Sequence, residues 1–400
     1  MAYRLLQPVN SASIKLKGVA RYHDYVRVSV PGGSARVPLS SPKVIGVSNS
    51  RGNRGHQEDF YAFATLSLNP AELQKGLKQF HKVDWDPSAV GDPHSRQVLF
   101  VGLYDGHGGS AVAQYLRQEL HGLFESAKKT DIPEVFQWVK EIGGYFKRFK
   151  GGPLTPWLAE GNEEEMDLEA RATLTFFEVD RNLSSVDRAA ETCGATASVA
   201  ILQSLDAPAT PFFSAKDLCI TVAHCGDTKV LISAIEDGKV FPMTEKHHAD
   251  GRVENKRLRK MMGSSLITDS FGESRWMGAL QNTRSLGDLQ YKKFGITSEP
   301  EVRTKMLRGQ EWASMILVSD GVSSILSDQE IADLTRNAPD PKVAAERIVS
   351  FSQELGGDDN ATAIVVPLAG WGKTTGPDQT KELREYRQKQ SIGNERQKRM

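Results

Sequence analysis

Several acidic residues stand at the ends of strand-like apolar runs, where their carboxylates would lie at the rim of a core. They are Asp105, Asp320, Asp359 and the adjacent pair Glu58 and Asp59. An Asp-Gly pair alone is more often a turn, but carboxylates gathered in one place would repel each other. Hard divalent cations prefer oxygen ligands and relieve that repulsion. Gly106, directly after Asp105, lets its own carbonyl approach an ion closely. The sequence therefore predicts a metal site, although an ordinary solvated acidic surface remains the alternative.

The composition limits the classes of protein to which the chain can belong. Hydrophobic residues make up 39% and charged residues 25%, which is ordinary for a globular protein and argues against low-complexity sequence. No apolar run reaches the roughly 18 residues that a membrane-spanning helix needs. Three cysteines are too few for a dense disulfide framework, so we expect a reducing compartment. The 50 basic and 50 acidic residues cancel, which gives no support to nucleic-acid binding.

The balanced charge is unevenly distributed along the chain. Residues 1–57 hold nine basic residues and one acidic residue, and residues 371–400 hold eight basic and four acidic ones. The first 40 residues contain Arg and Ser and almost no acid, which is typical of a mitochondrial targeting segment. An ordinary basic arm has the same composition, so both interpretations stay open.

The elements that must position the acids are grouped by type along the chain. Strand-like and helix-like segments do not alternate strictly, which favours an α+β fold with antiparallel sheets over a doubly wound parallel sheet. We expect a basic N-terminal extension (1–41), one domain (42–370) and a basic C-terminal tail (371–400). Residues 68–97 are predicted to be an irregular insertion, and 125–165 a second insertion.

Seven motifs, in order, resemble those of the PPM (type 2C) family of metal-dependent serine/threonine protein phosphatases. They are RGHQED (54–59), YDGHGG (104–109), CGATA (193–197), AHCGD (223–227), TRSLGD with EPE (283–288 and 299–301), DG (320–321) and DN (359–360). Each motif alone is weak, but seven in order over residues 42–368 are specific. The resemblance implies a four-layer αββα sandwich with two central antiparallel β-sheets flanked by helices.

The resemblance also implies a metal centre of two Mg²⁺ or Mn²⁺ ions between the sheets. A water or hydroxide that bridges both ions would attack the phosphate of phosphoserine or phosphothreonine. The implied ligands are Asp105 on both ions, Asp320 and Asp359 on one ion, and the Gly106 carbonyl with Glu58 on the other. Asp59, Asp227 and Asn360 would support these ligands or contribute to a third ion. Ser324 stands where many members carry an Asp that holds the third ion, which argues against that ion here.

Two further residues receive catalytic roles from the resemblance. Arg54 would clamp the phosphate, because a guanidinium matches two phosphate oxygens. His107 would be the general acid for the leaving alkoxide. A surface ion pair for Arg54 and a structural role for His107 are the alternatives.

A flap near residues 248–281 is also implied, with a basic helix predicted over 250–262. That helix either attracts phosphorylated, acidic substrates or is simply a solvated face. His247 and His248, just before it, are expected at the surface.

The function predicted from these residues is that of a protein phosphatase, with phosphorylated proteins as partners and a monomer as the expected state. An inactive pseudophosphatase that acts as a binding or scaffold module is the alternative. The insertions and the variant first motif look most like fungal mitochondrial members of the family. That resemblance predicts a mitochondrial location, with the pyruvate dehydrogenase E1α subunit among the candidate substrates. A cytoplasmic location is the alternative.

Overall fold

The computed structural model describes residues 23–159, 161–186, 188–260, 266–268, 274–278 and 280–391. The strands within these ranges are β1 (Tyr25–Val30), β2 (Gly33–Pro38), β3 (Gly46–Ser50), β4 (Asp59–Ser67), β5 (Gln97–His107), β6 (Gly194–Ser204), β7 (Asp217–Cys225), β8 (Lys229–Ala234), β9 (Val240–Pro242), β10 (Leu266–Thr268), β11 (Ser274–Trp276), β12 (Leu286–Gly287), β13 (Glu301–Arg308), β14 (Trp312–Val318) and β15 (Ala361–Pro367). The α-helices are α1 (Pro70–Gly76), α2 (Pro87–Val90), α3 (Ala111–Ser126), α4 (Ile132–Ile142), α5 (Leu168–Val186), α6 (Arg252–Arg259), α7 (Leu289–Lys292), α8 (Asp320–Ser323), α9 (Asp328–Leu334), α10 (Pro341–Glu354) and α11 (Lys381–Ser391).

Two antiparallel sheets form the centre of the molecule. The first runs β13-β7-β6-β5-β4, with the short β12 paired to β6, and the second runs β3-β15-β14-β8-β9. Two further antiparallel pairs, the β1-β2 hairpin and the pair β10-β11, also lie within the described residues. This arrangement confirms the predicted α+β class with two central antiparallel sheets.

The apolar runs are explained by burial on both faces of each strand. In β5, Leu99 and Val101 pack into the core between the sheets, whereas Phe100 packs into a second core against α3 and α5. In β14, Leu317 faces the inter-sheet core and Val318 faces the α8–α10 layer. A strand that is covered on both sides needs apolar residues at successive positions rather than at alternate ones.

The segment at 68–97 is more regular than the sequence analysis predicted. It contains α1, a π-helical turn (Leu77–His81) and α2. The guanidinium of Arg171 on α5 donates to both carboxylate oxygens of Glu72, at 2.7 and 2.9 Å, and both side chains are buried. This ion pair fixes α1 against α5, so the prediction of an irregular loop was wrong.

The segment at 125–165 has a hydrophobic core of its own. Val135 and Val139 of α4, together with Phe146, are fully buried against Phe177 of α5. The tight turns after α4 fold back over the same face of α5. The segment is therefore a packed addition to the helical layer.

Ordered structure also lies within both predicted terminal extensions. The β1-β2 hairpin falls inside residues 1–41, and Val26 and Leu39 are buried in the inter-sheet core. In the tail, Arg387 of α11 donates to both oxygens of the Glu330 carboxylate, at 2.6 and 2.8 Å. The targeting segment predicted for the first 40 residues lies mostly outside the described residues. None of the helices in the described ranges is long and apolar enough to cross a membrane.

Candidate active site

Three carboxylates meet at the ends of strands from both sheets. Asp105 lies near the end of β5, Asp227 follows β7 and Asp320 follows β14. Each offers an oxygen within 4.8 Å of the other two. Gly226 adopts a φ of +119°, a conformation that favours glycine, and so allows the turn that presents Asp227.

The electrostatics of this cluster favour a bound cation. Burial, together with repulsion from Asp320, raises the pKa of Asp105 well above its ordinary value. Burial and repulsion from Asp227 raise the pKa of Asp320 to about 7. Burial also opposes ionisation of Asp227, but a hydrogen bond from His248 Nε2 at 3.1 Å holds the pKa of this carboxyl below its ordinary value. Three carboxylates, of which Asp227 is buried and the other two are half-buried, are suited to a hard divalent ion.

The other ligands implied by the resemblance line the same cavity, which has a volume of about 600 Å³. Glu58, Gly106 and Asp359 contribute to its wall. The Asp359 carboxylate is paired with Arg54, whose Nη2 lies 2.6 Å from Asp359 Oδ2. The structure thus places Asp227, rather than Asp359, in the tight cluster with Asp105 and Asp320.

Asp59 and Asn360 brace the segments that carry these ligands. Asp59 is buried, and its Oδ2 accepts hydrogen bonds from Ser319 at 2.8 Å and Thr362 at 2.7 Å. Asn360 Oδ1 accepts from the backbone N–H of Glu58 at 2.6 Å. These hydrogen bonds therefore connect the start of β4 and the residue before it with the second sheet.

His107 also lines the cavity, where its side chain is paired with a carboxylate. Its Nε2 lies 2.8 Å from Oδ2 of Asp288, which is fully buried. Burial alone would lower the pKa of His107, but the Asp288 charge and hydrogen bond raise it. Asp288 is the last residue of the TRSLGD motif (283–288), and its role was not predicted from the sequence.

The expectation that His247 and His248 lie at the surface was wrong. His247 is 3% exposed, accepts from the Gly226 N–H at 3.0 Å and contacts Glu301 through Nε2 at 3.2 Å. His248 reaches Asp227, as described above. Both rings hold the turn that carries Asp227, His247 through the Gly226 N–H and His248 through the Asp227 carboxylate.

Part of the predicted flap forms one wall of the cavity. Arg275 of β11 and the residues at 280–282 line the same cavity as Arg54. Residues 261–265, 269–273 and 279 of the flap lie outside the described residues. Arg275 was missed because its distance in sequence from the motifs gives no signal of its proximity in space.

Ser324, which stands where many members carry an acid, is exposed at the end of α8 and is absent from the cavity wall. Its backbone N–H donates to the Asp320 carbonyl at 2.8 Å. The site therefore receives no carboxylate from this position.

Comparison with known proteins identifies the family. The family model described as protein phosphatase 2C matches residues 73–361, which is most of the chain. The chain belongs to the protein phosphatase 2C family. Members of this family are protein serine/threonine phosphatases and generally depend on Mg²⁺ or Mn²⁺.

Individual relatives agree with this assignment. Protein phosphatase 2C homolog 4 of Schizosaccharomyces pombe is 28% identical over 372 residues, which cover 91% of each chain. The mitochondrial protein phosphatase 1K of Xenopus laevis is 30% identical over 281 residues, which cover 69% of this chain and 62% of the relative. A serine-threonine phosphatase 2C from Toxoplasma gondii shares the fold, with a TM-score of 0.55 at 17% identity over 86% of this chain and 99% of that one.

Proposed function

We propose that this phosphatase uses two divalent ions, Mg²⁺ or Mn²⁺, to hydrolyse phosphoserine and phosphothreonine in proteins. The observation that carries the proposal is the meeting of Asp105, Asp227 and Asp320 within 4.8 Å. These carboxylates would hold one ion, and the Gly106 carbonyl with Glu58 would supply oxygens for another. The bound ions would lower the pKa of water and offset the charge of the phosphate.

The other residues of the cavity would bind and orient the phosphoryl group. Arg54, whose side chain is 62% exposed, can exchange its contact with Asp359 for phosphate oxygens. His107 would give a proton to the serine or threonine oxygen as its bond to phosphorus breaks.

Activity is tested by comparing wild type with Asp105→Ala on p-nitrophenyl phosphate and on a phosphoserine peptide. We expect hydrolysis by the wild-type protein that needs added Mn²⁺ and falls to background in the variant. Equal background rates for both proteins would favour the pseudophosphatase alternative.

We further propose a mitochondrial location, with the pyruvate dehydrogenase E1α subunit as a candidate substrate. The similarity to a relative that is named mitochondrial supports the location, as does the basic, acid-poor composition of the first 40 residues. Residues 1–40 fused to a fluorescent reporter should enter mitochondria, whereas a diffuse cytosolic signal would support the alternative. Phosphoproteomics after deletion of the gene would test the substrate.

A further inference from the structure

The contact between His107 and Asp288 crosses an intervening strand. His107 pairs with Gly194 in the β5-β6 ladder, and Gly194 pairs with Gly287 in the β6-β12 ladder. Asp288 directly follows Gly287, so the carboxylate must reach back over β6 to meet the imidazole. The hydrogen bond therefore passes above Gly194.

Gly194 is the residue that leaves room for this contact. A Cβ atom there would lie 2.2 Å from Asp288 Oδ2 and 2.5 Å from His107 Nε2. Both distances are far below van der Waals contact. The backbone of Gly194 does not have a positive φ. The absence of a side chain is thus needed for the His107–Asp288 pair rather than for a turn.

Asp288 itself is held by its immediate neighbours. Ser285 Oγ donates to Asp288 Oδ2 at 2.6 Å, and the Asp288 N–H donates to the Cys193 carbonyl at 2.9 Å. Its backbone is left-handed, with a φ of +50°, a conformation that aspartate tolerates better than most residues. These contacts fix the direction of the carboxylate before any substrate arrives.

A buried ion pair supports the same loop from behind. Lys292 Nζ lies 2.7 Å from Asp180 Oδ2, and both side chains are almost completely buried. Asp180 Oδ1 accepts from the Gly287 N–H at 2.8 Å, and Lys292 donates to the Ser285 carbonyl at 2.5 Å. Helix α5 thereby anchors both ends of the segment that presents Asp288.

We infer that Asp288 is the positioning residue for His107, acting across Gly194 to hold the imidazole in the orientation in which it can protonate the leaving oxygen. This inference rests on the proposed function, in which His107 is the general acid. An ionised carboxylate only accepts hydrogen bonds, so His107 Nε2 must carry the hydrogen in this pair. Nδ1 is then the ring nitrogen that remains for the substrate.

The proton transfer balances without any further reactant. As the bond between phosphorus and the serine oxygen breaks, its electron pair passes to that oxygen. The protonated imidazole gives its proton there and becomes neutral. Asp288 keeps its charge and its hydrogen bond throughout.

The test compares two substrates that differ in their need for an acid. p-Nitrophenolate leaves readily without a proton, whereas a serine alkoxide does not. We expect His107→Gln and Asp288→Ala each to lower kcat on a phosphoserine peptide about 10-fold or more, with KM unchanged. On p-nitrophenyl phosphate, each variant should lose less than about twofold in kcat. Asp288→Asn, which keeps a hydrogen-bond acceptor, should recover part of the peptide rate.

Gly194→Ala provides a second variant that keeps both members of the pair. It should show the same loss confined to the peptide substrate. Gly122→Ala is its control, because a Cβ at Gly122 meets nothing within 4 Å. Asp333→Ala is the control for removing a buried, ion-paired aspartate elsewhere. Thermal denaturation should show that each variant is folded.

The outcomes separate this inference from the proposed function. If the wild-type protein is inactive, with the same background rate as Asp105→Ala, the proposed function fails. If wild type is active but Asp288→Ala or Gly194→Ala affects both substrates equally, or neither, the positioning role is overturned. A loss for His107→Gln that is equal on both substrates would also overturn it, while leaving the phosphatase activity established.

Discussion

Arg54 is held at the cavity by an exposed ion pair with Asp359, and such pairs contribute little to folding stability. A phosphate can therefore replace the carboxylate at small cost. We expect Arg54→Ala to lower kcat/KM for a phosphopeptide about 10- to 100-fold, since hydrogen bonds to charged groups are worth roughly 1.5–3 kcal/mol. Arg54→Lys should recover little, because an ammonium cannot bind two phosphate oxygens side by side.

Steady-state kinetics and thermal denaturation together check this prediction. The melting temperatures of Arg54→Ala and wild type should agree closely. A variant that loses stability but keeps its kcat/KM would show instead that the ion pair with Asp359 is structural.

The sequence predicted individual site residues where a residue type and its position in a strand suffice. Asp105 and Asp320 end apolar runs, and both lie in the carboxylate cluster. The contact of Asp288 with His107 depends on a left-handed backbone and on the missing side chain of Gly194. The contact of His248 with Asp227 joins residues that are 21 positions apart in the sequence. Neither feature has a local signal in the sequence.

At the scale of elements, helix α6 is attached to the site by one buried carboxylate. Glu254 Oε2 accepts from Arg257 Nη2 and Thr283 Oγ1, both at 2.7 Å, and Oε1 accepts from Arg284 Nη2, also at 2.7 Å. These partners hold the pKa of Glu254 below its ordinary value despite burial. The carboxylate thus joins the flap helix to the segment that continues to β12.

We expect Glu254→Gln to destabilise the protein by about 3 kcal/mol, because the largely buried guanidinium groups of Arg257 and Arg284 lose the carboxylate that accepts their hydrogen bonds. Urea denaturation would measure the loss, and limited proteolysis should show faster cleavage within the flap. Glu346→Gln removes one member of an exposed pair on α10 and should change stability by less than about 0.5 kcal/mol. Equal effects of the two substitutions would contradict the anchoring role.

Elements without an internal apolar pattern were the hardest to predict. The strands of both sheets follow from their continuous apolar runs, because both faces are buried. Helix α1 is short, begins at Pro70 and is held by the Glu72–Arg171 ion pair, whose members are 99 residues apart. A contact of that range cannot be read from local sequence, so the segment was predicted to be irregular.

At the scale of the whole molecule, folding brings several carboxylates close together. These carboxylates repel one another when no cation is bound. The Asp320 carboxyl has a pKa of about 7 in the folded protein, against an ordinary value of 3.8. Well below pH 3.8 this carboxyl is protonated in both the folded and unfolded chains and does not reduce stability. As pH rises from about 4 to 7, only the unfolded chain releases this proton readily, so the metal-free fold loses stability.

We therefore expect Asp320→Asn to make the metal-free protein more stable than wild type, by up to about 4 kcal/mol at pH 7.5 for a shift of this size, and to differ little from it near pH 4. Mn²⁺ should raise the melting temperature of wild type strongly, because an ion bound only by the folded state adds to its stability. It should raise that of Asp320→Asn much less. Thermal denaturation after EDTA treatment, with and without added Mn²⁺, measures both effects. Equal shifts with Mn²⁺ in the two proteins would show that Asp320 is not a ligand, whereas a less stable metal-free variant would show that hydrogen bonding at Asp320 outweighs carboxylate repulsion.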